Sequence, residues 1–368
     1  MSFPSRTSQG PSTRAVHAGR PAAAQGDAFQ PPVTFAAPFH MAGDPESSPY
    51  QYGRYGNPTF TALEATLGAL EGGQALVFGS GMAAVTAVLA RLGAGDVLVL
   101  PSDGYFGVRG LEFPGLDVRL VPTDTEAIVA ACEGAAIVWV ETPSNPKLDL
   151  CDIATVAEAA HAAGALLVVD NTTATPLGQQ PLALGADLSV TAGTKSLAGH
   201  SDLLLGVVAG RDEALMAEVL SYRSHTGAVP GPFEAWLAHR SIATLDLRLT
   251  RSSDNALALV RLLRGRDDVE RVWHPGDDPL AVQQMTRLGA LVSFDLGTEA
   301  RASAFIAACA LVAEATSFGG VHSTAERRAR WGTDDVGPGF IRFSAGIEDE
   351  ADLLADVAQA LDATRDVR

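Results

Sequence analysis

The sequence has 368 residues, of which 47% are hydrophobic, so it provides enough apolar surface for a large core and suggests about two domains. A net charge of −17 at pH 7 argues against a nucleic-acid partner and against a membrane surface, since no basic stripe is available to neutralise phosphates. Residues 1–30 contain no continuous apolar run, which favours a cytoplasmic protein. The three cysteines are widely separated in apolar surroundings, which indicates core thiols and neither a disulfide framework nor a metal site.

The first part of the chain, residues 1–48, is predicted to be an irregular arm, because prolines interrupt every candidate helix. Such an arm needs another surface to pack on. Residues 50–59 then place three tyrosines and Arg54 close together, ahead of a helix for which Thr59 is a candidate N-cap.

From residue 75 to about 209, short apolar strands alternate with amphipathic helices, which is the pattern of a mainly parallel sheet covered on both faces. The predicted helices span 81–92, 124–132 and 152–163. The predicted strands are Ala75–Phe78, Val97–Leu100, Val118–Val121, Ala136–Glu141, Leu166–Asp170, Leu188–Thr191 and Leu203–Val208.

The alternation stops near residues 226–232, and a long helical stretch runs to about residue 264. Strands are predicted near 269–273, 290–296 and 340–344, with helices near 299–309 and 349–363. The predicted division is therefore the arm 1–48, a larger α/β domain 49–240 and a smaller C-terminal α/β domain 241–368.

Lys195 is one of only two lysines in a chain that has 24 arginines. Arginine cannot replace an amine that must lose its proton and attack a carbonyl carbon. Because Lys195 lies in a polar loop of small residues, it is a candidate for a Schiff-base lysine, with an ordinary surface lysine as the alternative.

The segment Gly79-Ser80-Gly81-Met82-Ala83-Ala84 follows a strand and begins a helix, so its backbone N–H groups are predicted to bind a phosphate. A simple tight turn is the alternative. The segment also fits the loose dinucleotide pattern G-x-G-x-x-A, with Asp103 at the place of a ribose-binding acid. A dehydrogenase of the Rossmann type is therefore a second interpretation.

Asp170 ends an apolar strand, where a carboxylate is costly unless a cation or a strong donor faces it. The protonated ring nitrogen of pyridoxal phosphate is a suitable partner, and a turn cap is the structural alternative. Tyr105 offers a flat ring that stacks on a cofactor or fills the core. Arg342 interrupts an apolar strand and is predicted either to bind a carboxylate or to form a structural ion pair.

Five motifs occur in order along the chain: Tyr52-Gly53-Arg54 with Asn57-Pro58-Thr59, Ser80-Gly81-Met82-Ala83-Ala84, Glu141-Thr142-Pro143-Ser144-Asn145-Pro146, Val169-Asp170-Asn171-Thr172, and Thr194-Lys195 with Gly199-His200-Ser201-Asp202. They resemble the Cys/Met-metabolism family of pyridoxal-phosphate enzymes, which includes cystathionine γ-lyase, cystathionine γ-synthase, methionine γ-lyase and O-acetylhomoserine sulfhydrylase. The dehydrogenase interpretation explains neither Lys195 nor the Tyr52-Gly53-Arg54 motif.

The resemblance implies the fold of the type I pyridoxal-phosphate-dependent transferases, with the cofactor bound to Lys195 as a Schiff base. By the same resemblance, Asp170 pairs with the pyridinium nitrogen, Tyr105 stacks on the ring, and Lys195, Tyr105 and Asp170 are the catalytic residues. The residues Gly81, Met82 and Thr194 would bind the phosphate.

The resemblance also implies a homotetramer, a dimer of dimers, in which Tyr52 and Arg54 reach the phosphate from a neighbouring subunit and the arm packs across that interface. Asn145 would contact the phenolic oxygen of the cofactor. The expected substrate-binding residues are Asn145, Thr316, Ser317 and Arg342.

The implied activity is γ-elimination on cystathionine or a related sulfur amino acid, which yields a thiol, a 2-oxo acid and ammonia. A γ-replacement transferase, either cystathionine γ-synthase or O-acetylhomoserine sulfhydrylase, is the alternative, and a non-catalytic family member is a third. Ala192 stands where the family usually has serine. Thr316 stands where the family members that process cystathionine usually have glutamate. The arginine-rich segment 327–331 is a further departure from the family pattern.

Overall fold

A seven-stranded sheet is the larger of two sheets in the structure, a computed structural model that describes residues 9–20, 22, 24–112 and 114–367. Across the sheet the strand order is β1-β7-β6-β5-β4-β2-β3. The strands β2 to β6 pair in parallel, whereas β7 is antiparallel to both of its neighbours. The strands are β1 (Gln74–Phe78), β2 (Val97–Pro101), β3 (Asp117–Val121), β4 (Ile137–Glu141), β5 (Leu166–Asp170), β6 (Leu188–Thr191) and β7 (Gly206–Gly210). The prediction of a mainly parallel sheet is confirmed.

Thirteen α-helices are present in the described part of the chain. They are α1 (Pro11–His17), α2 (Pro58–Glu71), α3 (Gly81–Leu89), α4 (Phe106–Arg109), α5 (Thr125–Ala131), α6 (Ile153–Ala162), α7 (Thr175–Gly178), α8 (Glu213–Thr226), α9 (Pro232–Ile242), α10 (Leu245–Arg264), α11 (Pro279–Gln284), α12 (Glu299–Ala308) and α13 (Glu350–Ala363). Short 3-10 helices span Pro45–Ser47, Pro181–Leu184, Pro275–Asp277 and Arg328–Trp331.

The central strands are buried on both faces, which explains their continuous apolar sequences. Successive side chains of β4 point to opposite sides: Trp139 packs in a core formed with α3 and α8, whereas Val138 and Val140 pack in a core formed with α5 and α6. Because β2 to β6 pair in parallel, their carboxyl ends lie together at one edge of the sheet.

A five-stranded sheet in the order β10-β11-β12-β9-β8 lies in the C-terminal part of the chain, where it packs against α10, α12 and α13. Its strands are β8 (Arg271–Trp273), β9 (Leu291–Asp295), β10 (Ala313–Glu314), β11 (Thr324–Arg327) and β12 (Phe340–Ser344). The sequence did not indicate β10 and β11. β10 has only two residues, which is too short for a recognisable pattern. β11 does not have the apolar sequence of a buried strand, because it contains Glu326, which is buried in register with Arg342 of β12.

The predicted arm is not irregular throughout, because α1 forms at residues 11–17. Pro11 occupies the first turn of the helix, where its missing N–H would have no helical partner in any case. Arg14 donates to the carbonyl of Ala69, and Thr66 donates to the carbonyl of Ala18, so this segment contacts its own chain. Packing of the arm on a neighbouring subunit, and the division of the chain at residues 48 and 240, stay predictions.

The strand predicted at Leu203–Val208 begins later, at Gly206. The backbone N–H of Leu205 donates to the Thr194 hydroxyl, and the Leu205 carbonyl accepts the Thr194 N–H. The backbone of Leu205 is therefore bonded to the loop that carries Lys195 and not to a neighbouring strand. The long helical stretch is also interrupted, since α9 ends at Ile242 and α10 begins at Leu245. In the described ranges, no helix has the length and apolarity needed to cross a bilayer.

Candidate active site

A cavity of about 330 Å³ lies where the loops that follow β1, β2, β4, β5 and β6 meet the five-stranded sheet. Its position at the carboxyl ends of the strands is where open α/β sheets bind ligands. Ten of the twelve predicted site residues line this cavity: Gly81, Met82, Tyr105, Asn145, Asp170, Thr194, Lys195, Thr316, Ser317 and Arg342. The structure thus brings together residues that are up to 261 positions apart between Gly81 and Arg342.

The amine of Lys195 is half-buried in the cavity and donates a hydrogen bond to Ser317 Oγ at 2.7 Å. Burial, reinforced by the positive charge of Arg342, lowers the pKa of Lys195 from 10.5 to about 8. Ser317 has a φ of +76°, a backbone conformation that residues other than glycine rarely adopt. The nucleophilic form of the amine is therefore accessible near neutral pH, and the strained Ser317 holds its hydroxyl beside it.

This pKa has a testable consequence for cofactor uptake, because only the neutral amine attacks an aldehyde. We expect the rate at which cofactor-free protein takes up pyridoxal phosphate to rise with pH, to reach half of its maximum at about pH 8, where half of the amine is neutral, and to level off about one pH unit higher. Stopped-flow absorbance from about pH 6 to about pH 10 measures this rate. A rate that keeps rising up to the ordinary lysine pKa would show that the cavity does not lower the pKa of Lys195.

Asp170, at the end of β5, directs a carboxylate into the same cavity although the residue is only 8% exposed. Its Oδ1 accepts hydrogen bonds from the N–H and the hydroxyl of Thr172, at 3.0 and 2.5 Å. Burial raises the pKa of Asp170, and these two hydrogen bonds oppose the rise. Among the described residues nothing donates to Oδ2, so the second oxygen is available to a cationic group of a ligand.

Glu141 is a buried acid beside Asp170 that the sequence analysis included only as part of a motif. The two residues are paired in register on β4 and β5, and Glu141 Oε2 accepts the N–H of Tyr105 at 2.6 Å. Burial, together with the negative charge of Asp170, raises the pKa of Glu141 well above its ordinary value. These two causes favour the neutral form of Glu141, and its Oε2 fixes the backbone of Tyr105.

The start of α3 forms an anion cradle. Ser80 caps the helix by accepting the N–H of Ala83, while the N–H groups of Gly81 and Met82 have no partner within the described ranges. A Cβ added to Gly81 would lie 2.9 Å from the Cβ of Ala192, so only glycine keeps this space open. Free N–H groups at the positive end of a helix dipole fit a phosphate group.

Arg342 is buried in the wall of the cavity and is held by three neighbours. It donates to Asn145 Oδ1 at 3.0 Å, to the Ser317 carbonyl at 2.9 Å and to Glu326 Oε2 at 2.8 Å. Glu326 is fully buried and was not predicted as a site residue. In the sequence, Glu326 is only an acid in a polar segment. Its position opposite Arg342 follows from the pairing of β11 with β12, which the sequence did not indicate.

The other lining residues have more modest contacts. The side chain of Tyr105 is partly exposed, and its ring centre lies 4.8 Å from that of Phe106. The Thr194 hydroxyl is bonded to the backbone of Leu205, so its predicted contact with phosphate stays a prediction. Thr316 lies at the cavity wall beside Ser317, and it also faces a wider cleft next to the cavity.

Tyr52 and Arg54 are the two predicted site residues that do not line the cavity. Arg54 donates to the Ser224 carbonyl at the end of α8 and to the Tyr55 hydroxyl. The ring of Tyr52 is 43% exposed. Within one chain these residues therefore do not line the cavity, and their predicted role in phosphate binding requires a second subunit.

Asp103 does not have the position expected for a ribose-binding acid. One carboxylate oxygen, Oδ1, accepts both the N–H and the hydroxyl of Thr123, at 3.0 and 2.8 Å, which fixes the loop after β2. Asp103 is also absent from the cavity wall. The dinucleotide interpretation therefore loses the residue that made it specific.

The cysteines lie outside the cavity wall, with Cys132 and Cys151 buried and Cys309 partly buried. Burial raises the pKa of Cys151 and of Cys309 to about 12, so both thiols stay protonated at neutral pH. The described residues contain no group of three or more His, Cys, Asp or Glu side chains that could hold a metal ion.

Comparisons with known proteins give one consistent family. The sequence pattern of the family described as "Cys/Met metabolism PLP-dependent enzyme" matches residues 12–362. A Streptomyces coelicolor protein named "Putative cystathionine gamma-lyase" is 54% identical, over 98% of this chain and 95% of that protein. A cystathionine gamma-synthase from Mycobacterium tuberculosis is 40% identical, over 96% of this chain and 97% of that protein. The apo crystal structure of a methionine gamma lyase from Micromonospora echinospora superposes with a TM-score of 0.90 at 41% identity, covering 96% of this chain and 99% of that chain.

Proposed function

Since the chain belongs to the Cys/Met-metabolism family of pyridoxal-phosphate-dependent enzymes, we propose that it is a carbon–sulfur lyase that performs γ-elimination on cystathionine or a related sulfur amino acid. The observation that carries the proposal is the shared cavity of Lys195 and Asp170, in which a half-buried amine of lowered pKa and a buried carboxylate with a free oxygen face one space. These are the two groups that pyridoxal-phosphate chemistry requires at opposite ends of its ring.

The residues of the cavity fit the cofactor as follows. Lys195 would bind the aldehyde carbon, and Asp170 would hold the proton on the pyridine nitrogen. The N–H groups of Gly81 and Met82 would bind the phosphate, joined by the Thr194 hydroxyl. The ring of Tyr105 would stack on the cofactor, and the free amide of Asn145 would donate to the phenolic oxygen. When bound, the cofactor accepts the electron pair that a substrate carbon retains after it loses a proton.

The protein residues bind the substrate and move its protons. We propose that Arg342 binds the α-carboxylate, since Glu326 and Asn145 already fix the guanidinium in the wall. With its amine neutral, Lys195 is a base next to the substrate: we propose that it takes the Cα proton, releases that proton again, and then takes the Cβ proton, because an amine accepts only one proton at a time. The Ser317 hydroxyl, 2.7 Å from Lys195 Nζ, orients that amine between these steps.

The leaving group departs from Cγ as a thiol when its sulfur receives a proton, for which we propose the Tyr105 hydroxyl as donor. Hydrolysis of the remaining four-carbon unit gives 2-oxobutyrate and ammonia. Glu141 supports this step through the backbone of Tyr105, whose N–H it accepts. If a thiol enters before hydrolysis, the same residues perform γ-replacement, and similarity to a cystathionine gamma-synthase keeps that reaction as the second candidate.

The assembly and the location are further parts of the proposal. A cleft next to the cavity is lined by Asp202 and Glu234, which are suitable partners for the guanidinium of Arg54 from a neighbouring subunit. This arrangement would bring Tyr52 and Arg54 to the cradle and supports an assembly of at least a dimer, with a homotetramer as the predicted form. A cytoplasmic location stays a prediction of the sequence.

The experiment that separates elimination from replacement uses purified, cofactor-loaded protein and four amino acids: cystathionine, methionine, O-acetylhomoserine and O-succinylhomoserine. Each is incubated with and without cysteine, and 2-oxobutyrate and thioether products are quantified. We expect 2-oxobutyrate from a sulfur amino acid in the absence of cysteine. A protein that forms only thioether products, and only when cysteine is added, is a transferase and not a lyase.

A further inference from the structure

We propose that Arg328 is a specificity-determining residue that binds a terminal carboxylate on the substrate side chain, while Arg342 binds the α-carboxylate. The inference deepens the proposed function, on which it rests for the orientation of the substrate. It concerns the 3-10 helix Arg328–Trp331, which the sequence showed only as an unusual arginine-rich segment.

Arg328 forms part of the cavity wall and is fixed there by its neighbours. Its side chain lines the cavity although the residue is only 3% exposed. Its Nε donates to Asp334 at 2.8 Å, Nη2 lies 2.6 Å from the same carboxylate oxygen, and Nη1 donates to Glu326 at 2.9 Å. A guanidinium has five N–H donors, so at least two have no protein partner within the described ranges. The guanidinium is thus fixed in place and still able to bind an anion.

The distance to the proposed α-carboxylate site is short. Arg328 and Arg342 both contact Glu326 Oε2, at 2.9 and 2.8 Å, so their guanidinium groups are close neighbours around one oxygen. A substrate held at Arg342 by its α-carboxylate therefore has Arg328 within reach of a short side chain. Arginine is the residue best suited to bind a carboxylate with two parallel hydrogen bonds.

The charge of this wall also favours an anion. Three arginines, namely Arg109, Arg328 and Arg342, share two acids next to the cavity, Glu326 and Asp334. Arg330, which does not line the cavity, also contacts Glu326 but has its own partner in Glu314, so this pair does not change the balance. The cluster therefore stays positive after every one of these contacts is counted.

Among the described residues, no acid that lines the cavity is in contact with Arg328. The acids that line the cavity are Glu141 and Asp170, which already accept hydrogen bonds from Tyr105 and Thr172. Thr316, at the wall beside Ser317, is uncharged. Buried N–H donors without an acceptor are a strong determinant of specificity, because a ligand that lacks a complementary acceptor leaves those donors without a hydrogen bond.

The test compares two amino acids of equal chain length, L-2-aminoadipate, which ends in a carboxylate, and L-norleucine, which ends in a methyl group. Neither has a leaving group on Cγ, so both bind without elimination, and the change in cofactor absorbance on titration gives each Kd. The proteins are the cofactor-loaded wild type, Arg328→Gln, Arg328→Lys and the matched control Arg330→Gln. Arg330 also contacts Glu326 but does not line the cavity.

We expect the wild type to bind 2-aminoadipate at least about 10-fold more tightly than norleucine. A factor of this size in Kd is what one charge-assisted hydrogen bond typically contributes. Arg328→Gln is expected to abolish this preference through the Kd of 2-aminoadipate, and Arg328→Lys to keep part of it. Arg330→Gln is expected to keep the wild-type preference. Equal Kd values in the wild type would overturn the proposal even if Arg328→Gln did not fold.

The proposal is also wrong if Arg328→Gln keeps the wild-type preference, or if Arg330→Gln loses the preference to the same extent, since the effect would then act through Glu326. The result is independent of turnover. A protein that shows this preference but releases no 2-oxo acid would refute the lyase function and leave the role of Arg328 intact.

Discussion

Replacement of Lys195 by alanine is expected to remove the absorbance of the lysine-bound cofactor and to lower kcat at least about 10³-fold, because one amine both binds the cofactor and transfers the substrate protons. The structure supports this expectation through the half-buried position of the amine, its lowered pKa and its contact with Ser317. The change removes a side chain from a cavity, so the cores of the two sheets stay intact. Absorbance spectra and steady-state release of 2-oxo acid measure the two effects.

Lys147→Ala is the matched control, since Lys147 is the single other lysine of the chain. Its Nζ lies 3.9 Å from an exposed carboxylate of Asp335, and the side chain does not line the cavity. We expect this variant to keep both the absorbance and the activity. An unchanged spectrum in Lys195→Ala, or the loss of the spectrum in Lys147→Ala, would contradict the assignment of the cofactor lysine.

Asp170→Asn is expected to lower kcat by about 10² to 10³-fold while the protein still binds the cofactor. Asparagine keeps the hydrogen-bonding shape beside Thr172 but removes the negative charge that would hold a proton on the pyridine nitrogen. Without that proton the ring accepts electrons poorly. Cofactor content from absorbance and kcat from 2-oxo acid release separate loss of chemistry from loss of binding.

Glu141→Gln provides the comparison for this prediction, because burial and the negative charge of Asp170 raise the pKa of Glu141 and so favour its neutral form. A glutamine accepts the Tyr105 N–H as a protonated glutamate does, so we expect a loss below about 10-fold. Equal losses in Asp170→Asn and Glu141→Gln would mean that the charge of Asp170 has no special role.

Much of the fold was predictable because the seven-stranded sheet follows from local signals. Apolar strands of about five residues separated by amphipathic helices are specific to a covered parallel sheet. The prediction failed where tertiary contacts replaced local rules. Leu203 to Leu205 are apolar enough for a strand, yet the backbone of Leu205 pairs with Thr194. Pro11 did not interrupt a helix, because it lies in the first turn.

The site was predictable where a residue follows a strand or lies in a polar loop, as Asp170 and Lys195 do. Glu141 and Glu326 were missed as site residues for a different reason. Their importance comes from partners that are distant in sequence, Tyr105 for Glu141 and Arg342 for Glu326, and sheet register alone brings them together. Arg328 was noted in the sequence only as part of an unusual segment, and its place in the cavity wall needed the turn that follows β11.

The most direct test of the central claim is to identify the 2-oxo acid that purified, cofactor-loaded protein releases from L-cystathionine. Cleavage at Cγ predicts 2-oxobutyrate, cysteine and ammonia in equal amounts, and the Lys195→Ala variant is expected to release none of them. Release of pyruvate and homocysteine would show cleavage at Cβ instead. The absence of any 2-oxo acid from cystathionine and from the other amino acids of the panel would contradict the proposed lyase function.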